Sequence, residues 1–137
     1  MQHSEFLQRF VDGLRSTLPD ERRPFETRFM GGLVKVWYGN PAVHYELALR
    51  SNGIMEVGLH FEADKQTNDR LLSYFSDQAI DVISQLGPQT DIEQWTETWG
   101  RVHQTVPFST ANDQLLAEAI KRMAAMITVL QPMLEET

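Results

Sequence analysis

From Leu33 to Phe61 apolar and polar residues alternate in three short runs. In "LVKVWY" Val34, Val36 and Tyr38 fall on one face, with Lys35 and Trp37 on the other. "VHYELAL" turns Val43, Tyr45, Leu47 and Leu49 one way, and "IMEVGLHF" does the same with Met55, Val57, Leu59 and Phe61. A period of two marks strands with one buried face. The breakers "GNP" and "SNG" between the runs predict a three-stranded antiparallel meander.

Outside the meander the period changes to that of a helix. Phe6, Leu7, Phe10, Leu14 and Leu18 predict a first helix opened by Ser4 and closed by Pro19. The segment from Pro19 to Gly32 reads as a loop. Leu72, Phe75, Ala79, Val82 and Leu86 predict one helix from Thr67 to Leu86, stopped by Gly87-Pro88. Residues 90–107 carry two patterns. Ile92, Trp95, Trp99 and Val102 have helical spacing, whereas the threonines, tryptophans and Gly100 favour a hairpin with strands near 92–96 and 101–107. The hairpin is preferred. A last helix begins at Ser109 or Thr110 and runs to about Leu134. The expected fold is α+β, in the order α-βββ-α-ββ-α. It is one domain over residues 1–137, a single antiparallel sheet of about five strands with helices on its apolar face. Leu47, Val57, Leu59, Phe75, Val82, Ile120 and Ile127 are its expected core.

Loop length fixes what meets across the meander. A two-residue Asn52-Gly53 turn would put Leu47 and Leu49 on the face of Glu56 and Gly58. A three-residue loop, Ser51-Asn52-Gly53, keeps the apolar set together and puts Gly53 where a left-handed residue is wanted. His44 then lies opposite His60, Glu46 opposite Gly58, and Glu62 near the mouth. The loop Gly39–Ala42 sets Trp37 beside His44 and Lys35 beside Glu46.

Lys35, Trp37, His44, Glu46, Gly58, His60 and Glu62 therefore form the candidate ligand or partner surface. Facing imidazoles flanked by a carboxylate make His44, His60 and Glu46 candidate ligands for a divalent metal such as zinc or nickel. The bland alternative is a solvated polar face in which Lys35 pairs with Glu46 and His44 stacks on Trp37. Gly58, a glycine inside a strand, marks a bulge or the close approach of another group. Trp95 and Trp99 read as core or hairpin aromatics.

Composition narrows the classes. A net charge of −7 repels a phosphate backbone, so nucleic acid is not the expected partner. Arg22, Arg23 and Arg28 are the local exception and a candidate anion site, with pairing to Glu21 and Glu26 as the alternative. The absence of cysteine removes thiolate sites and fits a reducing cytoplasm, the expected location. No apolar run approaches the ~20 residues of a spanning helix, and the first residues lack the pattern of a secretory leader. No phosphate loop, nucleophile elbow or zinc-protease helix occurs, so neither catalytic residues nor a cofactor is assigned.

The order of elements invites comparison with restriction-endonuclease-like folds, but Glu56-Val57-Gly58 puts glycine where their Glu-x-Lys pattern has lysine. Over about residues 53–107 the chain resembles uncharacterised bacterial domains found alone or joined to nuclease-like partners. The likeness rests on Glu62, Asp64, Asn68, Leu86-Gly87, Trp95 and Arg101-Val102. It implies no activity and no catalytic residues. The overall topology also resembles the small acidic type III secretion chaperones, which are dimers.

The last helix adds an expectation about assembly. Beside Leu116, Ile120, Met123, Ile127, Leu130 and Leu134 runs a second apolar stripe, Leu115, Ala119, Met126, Val129 and Met133. Together they exceed the ~100° needed to cover one sheet. A homodimer through Leu115, Met126, Val129 and Met133 is expected, unless the first helix covers that stripe. Three function classes stay open: a non-catalytic interaction module with a protein partner, a metal-binding or hydrolytic protein, and an accessory domain of nuclease or DNA-restriction systems. The first is preferred.

Overall fold

The alternating runs pair in the register that loop length requires. In the computed structural model, which describes residues 1–137, β3 (Val43–Leu49) and β4 (Ile54–Phe61) place His44 opposite His60 and Leu47 opposite Val57. Gly53 closes the turn in the left-handed region at φ +79°, and the Arg50 N–H donates to the Ile54 carbonyl at 2.9 Å. β2 (Leu33–Trp37) sets Lys35 opposite Glu46. The 90–107 segment is a hairpin, β5 (Asp91–Gln94) and β6 (Gly100–Pro107), and β6 pairs with β4.

The sheet has six strands rather than five, all antiparallel, in the order β1-β2-β3-β4-β6-β5. The added strand is β1 (Glu26–Met30), inside the segment expected to be a loop. Gly31-Gly32 is a tight turn, with Gly31 at φ +57°, that folds Glu26–Met30 back onto β2. Only a 3₁₀ turn, Asp20–Arg22, and a few linking residues remain of the loop.

The helices depart from expectation at their ends. α1 (His3–Thr17) starts ahead of Ser4, with Gln2 as its cap. The expected helix over 67–86 is two: α2 (Lys65–Asp77) and α3 (Ala79–Leu86), broken at Gln78 (φ −98°, ψ 14°). Asp64 caps α2 through the Thr67 N–H at 3.1 Å. α4 (Asp113–Glu135) begins later than Ser109, because Asn112 accepts the Leu115 N–H at 2.9 Å. Pro132 lies inside its last turn.

α2 and α4 cover one sheet face. α1 lies on α4, α4 crosses β3 and β4, and α2 covers β4, β5 and β6. Gly13 permits the close approach of α1, since a Cβ there would collide with Ile120 Cδ1. Of the expected core only Ile120 is half-buried; the other six residues are fully or nearly fully enclosed. Leu115 and Met126 are also buried within the chain, and Val129 and Met133 pack against its core. The exposed strip that motivated a dimer through α4 is thus absent. No helix is long and apolar enough to cross a membrane.

Candidate metal centre on the polar sheet face

Strand registers align two rows across the face opposite the helices. One runs Glu26, Trp37, His44, His60, Arg101, Glu93, and the next Arg28, Lys35, Glu46, Gly58, His103, Asp91. This face is not solvated as a polar face would be. His44 and His60 are 1% and 2% exposed, and Glu46 is 5% exposed.

Four side chains converge there. One donor atom from each of His44, Glu46, His60 and Glu62 lies within 4.8 Å of the other three. His44 Nε2 stands 3.2 Å from Glu46 Oε1 and 3.9 Å from Glu62 Oε2. His60 Nδ1 stands 3.0 Å from Glu62 Oε2 and 3.9 Å from Glu46 Oε1. The two rings stack, with centroids 5.6 Å apart, so His44 lies on His60 and not on Trp37. Trp95 stands edge-on to His60 at 5.4 Å, and Trp37 is half-buried in the same row. Lys35 reaches Glu62, 3.9 Å away, in place of the ion pair expected with Glu46.

The tautomer of His44 follows from its other nitrogen. His44 Nδ1 lies 2.9 Å from the Pro41 carbonyl, which can only accept, so Nδ1 carries the proton. Nε2 faces Glu46 Oε1 at 3.2 Å and Glu62 Oε2 at 3.9 Å, contacts that are favourable when a proton or a cation lies between nitrogen and carboxylate. Burial pushes the Glu46 carboxyl up, but the hydrogen bond from His44 and the charges of His60, His44 and Lys35 outweigh it and hold the pKa below its ordinary value.

Gly58 is explained by a residue missed in the sequence. A Cβ at Gly58 would lie 2.6 Å from His103 Cβ and 2.8 Å from the Val102 carbonyl oxygen. The close approach is made by β6. His103 belongs to a second cluster. Arg101 Nε and Nη2 donate to Glu93 Oε1 at 3.1 and 2.9 Å, and the guanidinium lies 4.5 Å from the Trp95 ring centroid. His103 Nε2 sits 2.9 Å from the same oxygen but off the N–H axis, so neither ring nitrogen makes a directed hydrogen bond. Burial, with Arg101 adding to it, lowers the His103 pKa against the pull of Glu93 and Asp91. Carrying the meander's register on to β6 would have found this cluster.

The arginine site is not assembled. Arg22 forms a bidentate pair with Glu135 at 2.9 and 3.0 Å, and Arg23 pairs with Asp20 at 3.0 Å. Arg28 sits apart on β1, exposed. No protein family, curated protein or solved structure matches this chain significantly.

Proposed function

We propose that this protein is a non-catalytic binding module that holds one divalent metal ion of the zinc class through His44, Glu46, His60 and Glu62. The observation that carries this reading is the convergence of two buried imidazoles, the buried Glu46 and the partly buried Glu62, with one donor atom of each within 4.8 Å of the others.

Donor spacing supports it. Zinc bonds of about 2.0–2.1 Å to nitrogen and oxygen set tetrahedral donor separations of roughly 3.3 Å. The four imidazole–carboxylate separations here are 3.0, 3.2, 3.9 and 3.9 Å. Two nitrogens and two oxygens are a borderline donor set that suits zinc better than calcium or magnesium. The Nδ1–H to Pro41 bond is the outer contact that orients a metal-ligating histidine. Four protein donors fill a tetrahedral shell, and none of the cavities is lined by any of the four residues. Closed four-donor sites are structural, so the ion would staple β3 to β4 rather than activate water.

Calorimetric titration of chelator-treated protein with zinc, nickel and manganese tests the proposal. One zinc ion should bind per chain, and zinc at a hundred times Kd should add about 2.7 kcal/mol of stability. Both effects should vanish in His60→Ala. Silent titrations with all three metals would leave the cluster as paired imidazolium and carboxylate groups only.

A further inference from the structure

β1 ends the sheet with an unpaired outer edge, and its side chains are unusual for such a position. Phe29 and Met30 are 44% and 43% exposed, among the few large apolar side chains of the chain left in solvent. Edges are normally blunted by charge, proline or a covering element, but the two charges on this edge are of opposite sign and so can complement a second copy of themselves. Here Glu26 and Arg28 stand exposed between the apolar positions, and neither joins an intrachain ion pair.

We propose that this edge takes a second copy of the chain, joining two sheets antiparallel through β1 with Thr27 opposite Thr27. The argument is one of register. A two-fold axis perpendicular to a continuous sheet brings together residues on the same face, so opposed positions must both be even or both odd. Centred on Thr27, the pairing sets Glu26 opposite the second copy's Arg28, twice by symmetry. On the other face it sets Phe29 opposite the second copy's Phe25, which extends the core across the junction. Shifting by two residues either way opposes Glu26 to Glu26 or Arg28 to Arg28. Like charges directly opposite are destabilising, so Thr27 is the favoured centre. Pro24, without an N–H, falls opposite Met30 and ends the ladder.

The edge is short, so the dimer forms with rising concentration and is not obligate. Sedimentation velocity across the micromolar range is the test. The mass should rise from 15.8 kDa toward twice that value. Glu26→Arg and Arg28→Glu should each weaken association by about tenfold or more. An equimolar mixture of the two variants should regain it, because opposite charges then face each other at both symmetry-related contacts. Circular dichroism of both variants should match wild type, since both positions are exposed. A mass fixed at 15.8 kDa would overturn the proposal. So would a dimer indifferent to both reversals, or a mixture that fails to recombine; loss of association in Val129→Glu alone would move the interface to α4.

Discussion

The same sheet face carries two clusters built from similar parts. On β3, β4 and the residue just after, His44 and His60 meet Glu46 and Glu62. On β5 and β6, His103 meets Asp91 and Glu93, but Arg101 takes the place of a second imidazole. That exchange alters the chemistry. A guanidinium is always charged and presents a fork of donors, so Arg101 satisfies Glu93 by itself and leaves His103 without a directed bond. In the first cluster no guanidinium comes within hydrogen-bonding distance; Arg50 Nη2 stays 3.7 Å from Glu46 Oε2. Lys35 Nζ also stays 3.9 Å from Glu62, so the closer positive partner is a proton on the imidazoles or, on the proposed reading, an added cation. On the proposed reading, a carboxylate held by its own guanidinium leaves no place for a metal, and one faced mainly by imidazoles does.

Gly58 lies between the clusters, next to Glu46 on one side and His103 on the other, and its replacement gives the largest effect. Gly58→Ala forces a Cβ against the Val102 carbonyl and the His103 backbone, neither of which is a flexible side-chain end. Overpacking of this kind destabilises by about 1–3 kcal/mol, and the upper end is expected here. Urea unfolding should show it as a lowered midpoint at unchanged slope. A loss below about 0.5 kcal/mol, the size of an ordinary surface change, would mean that β4 and β6 part easily and that the two clusters are not rigidly joined.

How much of this was legible follows from how local the signals are. Alternation from Leu33 to Phe61 and one loop length were enough to pair His44 with His60, because a one-residue slip would expose the whole apolar set. β1 escaped because Glu26–Met30 is short and, with little of it buried, has no clear period. The break at Gln78 has neither glycine nor proline to announce it. Burial of the polar face was illegible for a different reason. β6 comes from a distant segment, and it brings Arg101 and His103 beside His60 and Gly58, while the hairpin adds Trp95. Burial of Leu115 and Met126 within the chain is likewise a tertiary fact.

Acid separates the clusters next. The His103 pKa is lowered in the fold, so between its folded value and the ~6.5 of an unfolded histidine the unfolded chain binds more protons. Its contribution is undiminished above pH ~6.5 and is lost as pH falls through that window, at no more than about 1.4 kcal/mol per pH unit. Glu46, also lowered, contributes stability above its ordinary carboxylate value that is lost only at more acid pH. Metal-free protein followed by urea unfolding should therefore lose stability in two stages. His103→Gln should flatten the first stage and leave the second. Equal slopes in wild type and variant below pH ~6.5 would remove His103 from the account.

The smallest effect is the one that tests the role of Arg101 most directly. Arg101→Gln removes two donors to Glu93 and the cation lying over Trp95, while the shortened side chain stays polar. Because Glu93 is partly exposed and water can replace the lost donors, the cost in stability should be only about 0.5–1 kcal/mol. Two other readouts should move more clearly. Arg101 opposes protonation of His103, so its removal leaves Glu93 and Asp91 as the nearby charges and should raise the His103 pKa, visible in its ring proton shifts. Trp95 emission should shift as the guanidinium leaves its ring. Zinc affinity should stay within about twofold of wild type, since His44, Glu46, His60 and Glu62 do not touch Arg101 through any ion pair or hydrogen bond. A His103 pKa that stays put would show that burial alone sets it. The two clusters would then differ in depth, and the presence of a guanidinium would no longer explain why a metal is proposed for only one of them.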